Sequence, residues 1–159
     1  MGEFISFYLR GKEINEIVEI GSGVAYSTTL LHLLFPKANL VSLERYEPRY
    51  EMAKKNLVSE QVNFLLEDGE DYLRRRKKRI DILFLDGSKP HYIHFLELAL
   101  PMMEMGAVLI ADNIFGWGLS YEKNIDRRHK TLQKRMSAFL ELVFEEFHAT
   151  LLPLDDGLL

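Results

Sequence analysis

Cysteine is absent from the 159 residues, which excludes disulfides, thiolate metal centres and a cysteine nucleophile. No apolar run approaches the ~20 residues that a membrane-spanning helix needs, so no membrane role is expected. The amino end, MGEFISFYLRGKEINE, has charges on both sides of its apolar patch and lacks the layout of a signal peptide. Cytoplasmic residence is the expectation. A basic surplus is missing too. The formal net charge is -4, which argues against a generally basic nucleic-acid binder but leaves local patches open. Repeats, low-complexity segments and linkers are also absent. What remains is an ordinary globular composition, 47% apolar and 28% charged, long enough to bury roughly two-thirds of the unfolded chain's surface. One domain is expected over residues 1–159. A nucleotide domain plus a separate substrate domain would need more chain, which weakens a dehydrogenase reading.

Short apolar runs alternate with longer amphipathic ones. The pattern predicts a first helix near Phe4 to Leu9, a strand from Glu16 to Ile20 and a helix from Tyr26 to Phe35, stopped by Pro36. ANLVSLE is a second strand, and Pro48 suits the first turn of a helix running to about Ser59. VNFLL is a third strand, followed by a helix through EDYLRRR with Asp68 as its cap. IDILFLD, nearly all apolar, reads as a central strand buried on both faces. A helix from about Pro90 to Met103 leads to a fifth strand, GAVLIADN. One long helix is expected from Asn124 to Phe147, then ATLLPL as a sixth strand and DDGLL as the start of a seventh. This alternation predicts an α/β fold, a doubly wound, mostly parallel, seven-stranded sheet of the Rossmann-like kind. Ligands bind such sheets beyond the carboxyl ends of the strands, so the residues just after each strand are where chemistry is expected.

After the first strand comes VEIGSGVAYST. Gly21 and Gly23 open a dinucleotide fingerprint, but its third glycine falls at Tyr26, where a side chain forbids close packing of helix on strand. Glu19, Gly21, Gly23 and the small Ala25 better match a loop that cradles S-adenosylmethionine (SAM). Ser22 and Ser27 are possible partners for a carboxylate or a backbone group. Glu44 ends the second strand about 20 residues further on, where an acid accepts both ribose hydroxyls. Asp68 and Gly69 follow the third strand: the carboxylate suits an adenine amino group, and the missing side chain leaves room for the ring. Asp68 is equally well explained as a helix cap.

The fourth and fifth strands end LFLDGSK and LIADN. Asp86, Asp112 and Asn113 then stand at adjacent strand ends as three hard oxygen ligands, a set that suits Mg²⁺ or a similar ion. Lys89, one turn beyond Asp86, is placed to take a proton. Each of these alone is more often a cap or a loop residue. All four at the proper ends of neighbouring strands are less readily accidental.

With these segments in view, the chain resembles the cation-dependent, SAM-dependent O-methyltransferases, the group that contains catechol and caffeoyl-CoA methyltransferases. VEIGSGVAYST is similar to that family's SAM loop, FLDGSKPHY to its Asp-x-x-Lys segment, ALPMMEMGAVLIADNIFGWG to the stretch ending in a metal-binding Asp-Asn pair, and LLPLDDGLL to its carboxy-terminal signature. The resemblance implies a cofactor site of Glu19, Gly21, Ser22, Gly23, Tyr26, Ser27, Glu44, Asp68, Gly69 and Asp86. It implies cation ligation by Asp86, Asp112 and Asn113, and catalysis by Lys89 as general base beside Asp86. The implied partner is a small-molecule hydroxylated acceptor. The alternatives are tRNA 5-hydroxyuridine, methylated by some bacterial relatives, and a SAM-binding module without turnover. Two departures stand out. Ala25 replaces the usual third glycine, and only about 15 residues precede the first strand, where relatives carry several helices. The expectation is an acceptor pocket left open or completed by a partner subunit, in a homo-oligomer such as a dimer.

Two basic runs lie outside this scheme. RRRKKR, Arg74 to Arg79, precedes the fourth strand at the far end from the chemistry and reads as a solvated helix end. Arg127, Arg128, His129, Lys130, Lys134 and Arg135 follow the fifth strand, where they either hold phosphates of a coenzyme-A ester or RNA or form the outer face of a long helix. Trp117 and Tyr121 are candidates for a wall beside a planar acceptor or for core packing. His32, His91, His94 and His148 show no metal-ligand spacing.

Overall fold

In the computed structural model, which describes residues 1–57, 59–115, 127–154 and 156–159, the first five expected strands form one parallel sheet. They are β1 (Glu16–Ile20), β2 (Asn39–Glu44), β3 (Asn63–Leu66), β4 (Ile82–Leu85) and β5 (Val108–Ala111), in the spatial order β3-β2-β1-β4-β5. The chain winds outward from β1 to β3 and then returns to the other side of β1 for β4 and β5. The winding therefore reverses between β1 and β4. The strand ends are level there, with Ile20 paired to both Leu43 and Leu85, and Leu85 paired to Ala111.

Alternation along the strands divides the core into two layers. Val18, Ile20, Leu83 and Leu85 pack under α4 (Gly69–Arg75), α5 (Tyr92–Ala99) and α6 (Arg127–Glu146), through Leu73, Phe95 and Phe139 among others. Ile17, Leu40, Ile82 and Phe84 face Ile5 of α1 (Gly2–Tyr8) and Leu31 of α2 (Tyr26–Leu34). Both faces are covered, which explains why β4 is buried at every residue. The fifth expected helix is shorter than its sequence suggests. Lys89–His91 and Leu100–Met102 are 3₁₀ turns flanking α5. Pro101, lacking an N–H and crowding the carbonyl four residues back, ends the α-helical hydrogen bonding. The third helix, α3 (Glu47–Asn56), also stops before Ser59.

Among the described residues the sheet has five strands where seven were expected, the last of them as a stub. Beyond β5 the pairing continues as single antiparallel bridges, Asp112 with Leu158 and Leu152 with Leu158, with Ala111 and Leu159 exchanging N–H···O bonds of 2.8 and 2.9 Å. Pro153 brings no N–H to a ladder, and Gly157, at φ +88°, turns the chain sharply. The beginning of the expected long helix, before Arg127, lies outside the described residues, as do Val58 and Asp155. Among the described residues no helix is long and apolar enough to cross a membrane.

The basic run before β4 is not wholly a solvated helix end. The Arg76 side chain is 4% exposed. Its guanidinium donates to Tyr72 Oη (2.6 Å), Glu16 Oε2 (2.8 Å) and the carbonyls of Lys78 and Arg79. It locks the end of α4 to the start of β1, and removing one partner of such a buried pair costs about 3–5 kcal/mol. Arg74 and Arg75 pair with Glu70 and Glu67 at the surface, where ion pairs contribute little.

Ala25, which replaces the third glycine, adopts φ +69° and ψ 25° at the entry to α2. An L-residue in this left-handed region carries roughly 1–2 kcal/mol of strain, and glycine gives part of that back as unfolded-chain entropy. Ala25→Gly is expected to stabilise the fold by about 0.5–1 kcal/mol, raising the thermal midpoint by a few degrees. A lowered midpoint in differential scanning calorimetry would contradict the assignment of strain.

Candidate functional site

The reversal between β1 and β4 opens a cavity of about 470 Å³ at the carboxyl ends of the strands, within the size range of small-ligand pockets. Its lip is made of bare backbone. A Cβ built on Gly21, at φ +96°, would lie 2.6 Å from the N and Cα of Gly87, and one on Gly87 would lie 2.9 Å from Gly21 Cα. The loops after β1 and β4 thus touch through two glycines. The sequence reading singled out Gly21 but missed Gly87. Its signal was present in the glycine directly after the strand-end acid, across the switch point from Gly21. Gly21 and Ser22 both donate their N–H to Leu43 O, at 2.9 and 3.2 Å, which anchors the loop to β2. Gly23, at φ +56°, has open space where a side chain would stand.

Glu44 forms the next wall. Its Oε2 accepts the Gly23 N–H at 3.2 Å, and its Oε1 accepts the Tyr46 N–H at 2.9 Å. Each oxygen keeps a further lone pair for a diol in the cavity. Asp68 also lines the cavity and is a helix cap, taking the Glu70 N–H on Oδ1 at 2.9 Å. Its Oδ2 stands 3.5 Å from Arg45. Arg45, Tyr46, Arg49 and Phe95 line the cavity as well. None was a candidate from sequence, because surface cations, a surface tyrosine and a core phenylalanine carry no positional signal by themselves.

Gly69 lines the cavity, and a Cβ there would meet Ile20 Cγ2 at 2.7 Å. Its missing side chain serves the packing of α4 on β1 as well as any ring. Glu19 is fully buried and does not line the cavity. It lies behind the loop, on the face of β1 that carries Ile17. Its Oε2 accepts the Thr28 hydroxyl at 2.5 Å and the Ser42 hydroxyl. Burial pushes its carboxyl above the usual range, against the hydrogen bonds of Ser27, Ser42 and Thr28. Ser22 and Ser27 are buried too, and Ser22 Oγ has no hydrogen-bond partner among the described residues. Tyr26, at the first turn of α2, is 73% exposed and outside the cavity wall.

The acid corner adjoins this cavity and shares Asp86 with its wall. Because Leu85 pairs with Ala111, the next residues, Asp86 and Asp112, leave their strands side by side, and the Asp112 N–H reaches back to Leu85 O at 2.9 Å. Asn113 follows at φ +54°, tolerable for asparagine, with its N–H on Asp112 Oδ1 at 2.7 Å. Burial raises the Asp86 carboxyl to about 7, the charge of Asp112 adds to this, and Lys89 opposes it. Burial lowers Lys89 below an ordinary lysine, against the pull of Asp86, Asp112 and Asp156. Asp156 comes from the C-terminal segment, which is held by the Phe115 N–H on Asp156 O at 2.8 Å. Among the described residues no three His, Cys, Asp or Glu side chains form a metal cage. The corner is two acids with an amide beside them, a donor set that suits an oxygen-seeking ion keeping several waters. Two carboxylates whose charges oppose each other in a half-buried place are what such an ion relieves.

On α6, Lys130, Lys134 and Arg135 are exposed, and Arg135 donates to Pro90 O at 3.3 Å. Trp117 and Tyr121 lie outside the described residues, as do the side chains of Arg127, Arg128 and His129.

The O-methyltransferase family model matches residues 1–159. A candidate caffeoyl-CoA O-methyltransferase of Arabidopsis thaliana is 29% identical over 129 residues, covering 76% of this chain and 56% of that protein. A catechol O-methyltransferase of Niastella koreensis is 26% identical over 149 residues, covering 87% of this chain and 67% of the relative. The chain thus spans little more than half the length of the Arabidopsis relative. The crystal structure of an O-methyltransferase from Bacillus cereus in complex with SAH superposes with a TM-score of 0.81 at 23% identity, covering 99% of this chain and 77% of that one. At that identity the likeness speaks for the fold.

Gly21→Ala is expected to destabilise the fold by more than about 3 kcal/mol, since backbone must move. Gly23→Ala meets only a positive φ and is expected to cost about 1 kcal/mol. Equal losses in urea unfolding would remove the Gly21–Gly87 contact from consideration. Asp86 supplies a pH test on metal-free protein. Its folded-state pKa, about 7, lies above its unfolded value near 3.9, so its contribution is most favourable below pH 4 and is lost as pH rises to 7. Asp86→Asn is therefore expected to gain on wild type in thermal midpoint as pH rises from 4 to 8. A gap independent of pH would refute the shift.

Proposed function

The chain belongs to the O-methyltransferase family, and from that premise we propose that it transfers the methyl group of SAM to a hydroxyl of a catechol-like small molecule, with a divalent cation such as Mg²⁺ at the Asp86–Asp112–Asn113 corner. One observation carries this reading: a glycine-lipped crevice and a corner of two acids and a lysine open side by side at the same switch point. When bound, the cofactor supplies an electrophilic methyl, and the cation favours the anion of a hydroxyl whose pKa is otherwise about 10. The chain's own residues supply placement and proton handling. Gly21 and Gly23, both in the cavity wall, let a ligand approach the loop backbone closely. Glu44 takes the ribose diol on its remaining lone pairs, and Asp68 stands at the adenine end.

Lys89 receives the acceptor's proton. Its burial disfavours the ammonium, so the neutral amine is more accessible near pH 7 than in a free lysine. Asp86 and Asp112 would hold the ion, which would supply the positive charge that draws in the acceptor's two neighbouring oxygens, and alignment of the reactants supplies much of the acceleration. The names of the relatives, catechol and caffeoyl-CoA O-methyltransferases, favour a small-molecule acceptor over tRNA.

A radiolabelled-methyl transfer assay over a catechol panel tests this reading. EDTA is expected to abolish transfer while SAM still binds in calorimetry. Lys89→Met is expected to lower turnover by about 10²–10⁴-fold with SAM affinity unchanged. Transfer that survives complete chelation sinks the cation role, and SAM binding without transfer to any catechol leaves a binding module.

A further inference from the structure

We propose that Tyr92 is a positioning residue for the cation corner, its hydroxyl setting the spacing of the two strand ends that carry Asp86 and Asp112. The inference rests on the cation-assisted reading above. Tyr92 is the first residue of α5 and is wholly buried. Its Oη donates to Leu85 O at 3.0 Å and lies 3.4 Å from Asp112 O. One proton is thus shared between the residue just before Asp86 and Asp112 itself. Leu85 O also accepts the Asp112 N–H, so a single carbonyl gathers both strand ends and the helix. The β4–β5 ladder ends at Leu85 and Ala111. The tyrosyl hydroxyl adds a side-chain tie to the backbone bond that joins the two strand ends there. Its ring is held edge-on by Phe139 of α6, with centroids 5.4 Å apart at 72°. A phenylalanine would fill the same core volume without burying a hydroxyl, and a buried hydroxyl is favourable only where its partners repay its desolvation. Groups that orient metal ligands from behind typically change metal affinity by 10–100-fold when removed.

Tyr92→Phe tests this, read in three ways. In metal-free protein, amide exchange at Asp112 is expected to quicken at least tenfold while Leu83 and Ile110, inside the sheet, keep their rates. Mn²⁺ affinity is expected to weaken about tenfold, and SAM affinity to stay within twofold. Phe139→Leu loosens the same ring without touching the hydroxyl. It is expected to lower the thermal midpoint without singling out Asp112 or Mn²⁺. The proposal is overturned if exchange and Mn²⁺ binding are unchanged in Tyr92→Phe, if the whole sheet exchanges faster together, or if Phe139→Leu reproduces the pattern. Wild-type protein that binds no Mn²⁺ overturns the cation reading and with it the purpose assigned to Tyr92. Unaltered Asp112 exchange alongside intact Mn²⁺ binding overturns the role of Tyr92 alone.

Discussion

The backbones of Gly21 and Gly87 lie so close that neither position has room for a methyl group, and the site is arranged around that contact. It joins the loops after β1 and β4 where the winding of the sheet reverses, so the two cannot drift apart without opening the core beneath Ile20 and Leu85. Gly21 and Gly23, the latter tied to Glu44, face the cavity from the first loop, and Asp86, Gly87 and Ser88 from the second, while Asp68 and Gly69 close it from the end of β3. A crevice at this place follows from strand order. Its narrowness follows from two residues without side chains.

Much of this was legible in the sequence because it rests on local patterns. β1 begins and ends at the expected residues, and Asp68 caps α4 as its type predicts. The strand-end rule put Asp86 and Asp112 on neighbouring strands, and register makes them level. The rest depends on long-range geometry that no local pattern carries. Glu19 was assigned to the cofactor wall as part of the loop motif, but alternation along β1 turns it to the opposite layer, where Ser42 and Thr28 receive it. Gly69 was read as space for a ring; it lines the cavity, and its bare backbone also packs against Ile20. Arg76 hides in a run of six cations because composition cannot tell which one folds inward. Tyr92 and Phe95 sit on one helix with nothing in its local pattern to set them apart. Only the packing separates the one that reaches the strand ends from the one that reaches the cavity.

Charge is distributed unevenly between the two layers of polar residues. Behind the loop, Glu19 is surrounded by hydroxyls that donate to it, and burial raises its carboxyl against them. In front, Asp86, Asp112 and Asp156 surround Lys89, so acids outnumber the lysine. The front layer is therefore one in which added positive charge is welcome and added negative charge is not. This asymmetry, set by which face each strand residue takes, separates a structural polar cluster from a reactive one.

Glu44 binds the backbone of the glycine loop with one oxygen and the turn into α3 with the other. The cavity's middle wall is thereby assembled before anything enters it. A ligand arriving there meets a surface already in its bound shape, and little chain freedom is left to be surrendered on association. Hydrogen-bond donors that reach that wall meet a pair of acceptors whose spacing is already fixed.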